Sequence, residues 1–124
     1  MPLLHATDHQ SFDIPGTRFT GLAAPSRGAS ETATWRLNVQ PGTAGTPHRV
    51  TREEIFVALS GTAQATLNGE VLDIPAGDTL IVPASSTFAL ANPYDAPFEA
   101  IAIFPVGGEF VVGDAAPFTL PWAR

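Results

Sequence analysis

Apolar side chains along this chain recur at every second position, in short runs cut off by proline and glycine. That pattern admits strands and little else. In ETATWRLNVQ, residues 31–40, Ala33, Trp35, Leu37 and Val39 alternate with Thr34, Arg36, Asn38 and Gln40, the mark of a strand with one buried face. The same alternation returns in FEAIAIF, Phe98 to Phe104. Asn68-Gly69 stands between two strand-like runs, as a tight hairpin turn requires. AGDTLIVPA, residues 76–84, reads as a turn, a strand and a proline stop. The 12 Pro and 11 Gly of the chain supply this punctuation, and no stretch keeps a 3.6-residue apolar period. The expectation is an all-β fold, a sandwich or a barrel, with almost no helix.

The 124 residues suit a single domain, 1–124, large enough to bury a core. The core is expected over about residues 30–105, with the loop-rich N- and C-terminal segments wrapping it. Phe118 and Trp122 in the tail are expected to pack on the barrel or on a partner subunit rather than on a ligand. No cysteine is present, which removes disulfides, thiolate nucleophiles and thiolate metal ligands. The net charge is −6 and the six basic residues are all Arg, too few to follow a phosphate backbone, so neither nucleic acid nor an anionic membrane surface is an expected partner. The start of the chain has no basic segment followed by an apolar one, so no signal peptide is expected, and a cytoplasmic location is.

The stretch PHRVTREEIFVALSG, residues 47–61, carries the chemistry. In the strand that begins at Glu54, Glu54, Phe56 and Ala58 share one face and Ile55, Val57 and Leu59 the other. Both faces are apolar, so both are expected to be covered, the outer one by the N-terminal segment, another sheet or a second subunit. A carboxylate on the inner face costs several kcal/mol unless it pairs or takes a proton, and His48 is its natural partner. The alternative for His48 is a structural histidine at a barrel rim. Arg36, Asn38 and Gln40 form a polar row expected to face solvent, and Arg49 and Arg52 are expected to point outward. Ser85 and Ser86 have no basic neighbour in sequence, and no glycine loop has the lysine of a phosphate cradle.

The order of these residues resembles the cupin family. The first cupin motif is matched by Gly42, five residues, His48-Arg49-Val50, three residues, Glu54, six residues and Gly61. The second is matched by Gly77, five residues, Pro83-Ala84-Ser85, two residues, Phe88, three residues and Asn92. The resemblance implies a jelly-roll β-barrel (a double-stranded β-helix) with a ligand cavity, commonly a homodimer with one metal per barrel. The family's three His and one Glu would fall on His48, Val50, Phe88 and Glu54, so two of four ligands are replaced by side chains without a lone pair. No tightly bound metal or other cofactor is therefore expected, with at most a weakly held ion between His48 and Glu54.

What is left resembles an apolar slot with one polar pair. Val50, Phe56, Phe88 and Leu90 are expected to line it, with Trp35 and Asn92 as further ligand contacts. Such a slot suits an aromatic or terpenoid-like molecule. The alternative is that Phe88 plugs the barrel. Three functions stay open on the sequence. One is a metal-free enzyme that moves a proton with Glu54 and His48 in an isomerisation, cyclisation, dehydration or decarboxylation. Another is a non-catalytic sensor or carrier. The last is a metalloenzyme with a third ligand from elsewhere.

Overall fold

A computed structural model describes residues 2–124. Eleven strands form two antiparallel sheets that face each other. In chain order they are β1 (Ser11–Ile14), β2 (Thr17–Ala23), β3 (Thr32–Val39), β4 (His48–Val50), β5 (Glu54–Ser60), β6 (Thr62–Leu67), β7 (Glu70–Pro75), β8 (Thr79–Val82), β9 (Thr87–Ala91), β10 (Phe98–Pro105) and β11 (Phe110–Val111). One sheet has the order β1-β2-β3-β10-β5-β8 and the other β11-β4-β9-β6-β7. The chain passes repeatedly from one sheet to the other, which is the jelly roll that the cupin resemblance implies. Among the described residues, helix is confined to three single 3₁₀ turns.

The period-two pattern sorts side chains as anticipated. In β3, Ala33, Trp35, Leu37 and Val39 are buried, and in β10 Phe98, Ala100, Ala102 and Phe104 are. Register sets large side chains beside small ones. Ala102 lies between Trp35 of β3 and Phe56 of β5, and Ala100 between Leu37 and Ala58. The alanines leave space inside the barrel that larger residues would fill. The β6–β7 hairpin turns at Asn68 and Gly69, with φ of 49° and 85°, the backbone such a turn demands. Gly61, between β5 and β6, has φ 72°, and a Cβ there would sit 2.1 Å from the carbonyl oxygen of Pro97. Ser85 stands where the second motif has glycine, and it keeps the left-handed conformation at φ 68°.

One expectation changes. The N-terminal segment does not merely wrap the barrel, because β1 and β2 continue the six-stranded sheet beyond β3. Their short, interrupted apolar pattern hides this, since both are only partly buried at this end of the sheet. Within the single chain the outer face of β5 is partly open: Ile55 and Val57 are half-buried and Leu59 is exposed.

Candidate active site

A cavity of about 950 Å³ opens into one end of the barrel. Trp35, Phe56, Phe88 and Leu90 line it, as do His48 and Glu54. Phe88 is a wall residue and does not plug the barrel.

His48 and Glu54 reach this wall from opposite sheets. His48 is the first residue of β4, and Glu54 is the first of β5 after the chain turns the corner at 51–53. The five intervening residues are enough to carry the backbone across the mouth, so the spacing seen in sequence places the two groups on facing walls. His48 pairs with Phe88 across the β4–β9 ladder. Its ring stacks on Phe110 with centroids 4.5 Å apart and planes at 15°, and meets the edge of Phe88 at 5.5 Å. Its Nδ1 lies 2.9 Å from the carbonyl oxygen of Thr46. A carbonyl only accepts, so Nδ1 carries the proton and Nε2 presents a bare lone pair. Burial lowers the His48 pKa against the weaker opposing pull of the Thr46 carbonyl, so the ring is neutral at pH 7.

Glu54 is only 1% exposed, and neither carboxyl oxygen has a hydrogen-bond partner among the described residues. Burial pushes its pKa up to about 8, so at pH 7 the carboxyl is protonated. The expected His48–Glu54 pair does not form as a contact. His48 Nε2 is also buried without a partner, and no ion pair joins the two residues. Of the two ways to lower the cost of the buried carboxyl, the protein uses protonation.

Val50 and Asn92 do not line the cavity. Val50 is fully buried in the hydrophobic core. The Asn92 side chain is committed to backbone: its amide donates to the carbonyl oxygens of Val39 (3.0 Å) and Ala96 (2.8 Å), and its Oδ1 accepts from the Tyr94 N–H. Asn92 thus clamps two loops at the end of the barrel. In place of these residues the C-terminal tail contributes Phe118, Leu120 and Trp122 to the wall, against the expectation that Phe118 and Trp122 avoid the ligand site. Trp122 stacks on Phe19 at 3.8 Å and 5°, and Phe118 is held by a bridge to Phe110. The tail has no periodicity that would reveal this, although its two aromatic residues were a cue. Arg36 lies on the outer surface beside Glu99, 3.7 Å away, and Arg49 and Arg52 are exposed, as expected; Gln40 of the same polar row reaches the cavity mouth.

The four positions to which the resemblance assigns a metal carry His48, Val50, Glu54 and Phe88. Among the described residues no three His, Asp or Glu side chains converge to hold an ion. Two donors on facing walls, with valine and phenylalanine at the other two positions, do not fit a resident metal centre. What the site holds instead is a protonated acid and a neutral imidazole base, both unpaired, in an aromatic wall.

Comparison with known proteins agrees with this architecture. Residues 35–104 match the family described as Cupin domain. No curated protein sequence matches. Similar solved structures include the polyketide cyclase RemF from Streptomyces resistomycificus, at TM-score 0.75 and 18% identity over 85% of this chain and 79% of that one. An RmlC-like cupin from Shewanella frigidimarina aligns at TM-score 0.72 and 17% identity over 85% and 90%. KdgF from Halomonas sp. aligns at TM-score 0.70 and 20% identity over 82% and 91%. At these identities the likeness shows the fold alone.

Proposed function

The chain belongs to the cupin family, and we propose that it binds an apolar or aromatic small molecule in the barrel and moves a proton on it with Glu54 and His48. The observation that carries this reading is the pair of buried, unpartnered polar groups in the cavity wall. Folded proteins pair their buried polar atoms almost without exception, because each orphan costs about 1–3 kcal/mol. Two such orphans on residues that line one cavity support a ligand as their partner.

Their protonation states set the roles. His48 Nε2 takes a proton from a carbon or hydroxyl of the ligand and becomes imidazolium. The Glu54 carboxyl gives its proton to the oxygen that gains electron density and becomes carboxylate. His48 then gives its proton to a different carbon and the Glu54 carboxylate takes its proton back from the oxygen, which completes an isomerisation with both groups restored and charge conserved throughout. The apolar wall strengthens both electrostatic terms by excluding water. Cyclisation and dehydration use the same two transfers. One similar structure is by name a polyketide cyclase, but the proposal rests on the site.

The test uses a substrate-independent probe, 5-nitrobenzisoxazole, whose ring opens with colour when a base removes its carbon-bound proton. The expected result is a rate about 10²-fold above buffer that falls to background in both His48→Phe and Glu54→Gln, with circular dichroism showing both variants folded. A wild-type rate equal to that of the variants would remove the catalytic reading. The second reading, a non-catalytic sensor or carrier, would then stand; it is favoured by the absence of a His48–Glu54 contact. A homodimer is part of the proposal. Ile103, Ile55 and Ile81 lie side by side across the outer face of the six-stranded sheet, and Ile81 is 54% exposed, a face a second copy would cover.

A further inference from the structure

We infer that the cavity selects an uncharged ligand that carries a hydroxyl donor and a carbonyl acceptor on an aromatic or other flat apolar frame. The inference rests on the reading of this cavity as the ligand site and names the chemistry the site takes.

Three residues of the cavity lining carry a buried, unpaired polar group: His48 its Nε2, Glu54 its carboxyl and Trp122 its Nε1. Their hydrogen-bonding senses are fixed. His48 Nε2 can only accept, because Nδ1 carries the ring proton towards Thr46. Trp122 Nε1–H can only donate. The protonated Glu54 carboxyl donates once and accepts with its remaining lone pairs. A ligand that satisfies all three therefore offers at least one donor, to His48, and at least one acceptor, for Trp122 or Glu54. A hydroxyl together with a carbonyl meets that demand.

The charge of the ligand follows from what is missing around it. The chain has six Arg and no Lys, and none of the six lines this cavity. A carboxylate or phosphate placed here would lose its water and find no counter-charge, at a cost of several kcal/mol. An ammonium would need Glu54 ionised and would leave the Trp122 N–H without an acceptor. The stacked Trp122–Phe19 pair and the His48–Phe110 pair present flat faces, and flat apolar frames pack on such faces.

Calorimetric titration at pH 7 with four naphthalene probes of one size tests this. The expected order places 6-hydroxy-2-acetonaphthone first. 6-Hydroxy-2-naphthoate, its anionic counterpart, binds at least about tenfold more weakly, as an uncompensated buried charge requires. 2-Acetonaphthone, which lacks the hydroxyl, binds about fivefold more weakly, as loss of one hydrogen bond predicts. That hydroxyl gap closes in His48→Phe, which keeps an aromatic ring against Phe110. 6-(Aminomethyl)-2-naphthol binds no better than the ketone. If the naphthoate or the ammonium binds as tightly as the hydroxyketone, or if the hydroxyl gap survives in His48→Phe, the selection is wrong while the cavity remains a binding site. If none of the four binds, the inference and the reading beneath it both fall.

Discussion

Replacing Glu54 by Gln is expected to stabilise the protein, and to do so in a pH-dependent way. The carboxyl has a pKa near 8 in the folded barrel, raised by burial from 4.5. Below pH 4.5 it is protonated in both folded and unfolded chains and costs nothing extra. As pH rises from 4.5 to 8 the unfolded chain ionises Glu54 while the folded one does not, so the folded state holds more protons and stability falls. Each unit is worth 1.36 kcal/mol, so the loss reaches about 3 kcal/mol at pH 7 and levels off near 5 kcal/mol above pH 8. Gln has the same shape, is equally unpaired, and carries no titrating proton. Glu54→Gln should therefore match wild type near pH 4.5, exceed it by about 3 kcal/mol at pH 7, and melt roughly 10 °C higher there. His48 pushes the other way below its ordinary pKa of 6.5, because its folded-state pKa is lowered by burial. It does so in both proteins and cancels in the difference. Urea titrations at pH 4.5, 6, 7 and 8 measure the effect. A variant less stable than wild type at pH 7, or a difference that does not change with pH, would refute the reasoning: the carboxyl would then be ionised and paired.

Asn92→Ala should cost about 3 kcal/mol in urea titration, since the substitution orphans the Val39 and Ala96 carbonyls and the Tyr94 N–H, yet leave affinity for 6-hydroxy-2-acetonaphthone within about twofold. Phe88→His should add a third donor beside His48, its cross-strand neighbour, and opposite Glu54. The variant is expected to retain stoichiometric zinc after dialysis and wild type is not, as read by elemental analysis. Ile81→Glu should convert a dimer to a monomer in light scattering while leaving the circular dichroism unchanged, because Ile81 lies on the half-open outer face.

The strands were legible because the alternation in β3 and β10 has a direct physical cause: one face of each is buried. The alternation of β5 placed Glu54 on the inner face with Phe56 and Ala58, while the inward place of His48 on β4 came from the resemblance to the cupin motif. The contact between them was not legible. It depends on how far apart the two sheets stand, which no local pattern encodes. Val50 and Asn92 share the inward face by periodicity, but packing depth consigns one to the core and backbone carbonyls claim the other. The tail escaped because a segment without regular structure is positioned by tertiary contacts alone, here the stack of Trp122 on Phe19 and the bridge of Phe118 to Phe110. The edge strand β1 and its neighbour β2 are only partly buried, so their alternation is weak.

The protonation state of Glu54 can be read directly. Carbon-13 spectra of protein labelled at the Glu side-chain carboxyls contain six resonances, from Glu31, Glu53, Glu54, Glu70, Glu99 and Glu109, and the one absent from Glu54→Gln belongs to Glu54. The account predicts that this resonance stays in the carboxylic-acid range through pH 7 and shifts near pH 8. A Glu54 resonance that shifts near pH 4.5 would contradict it.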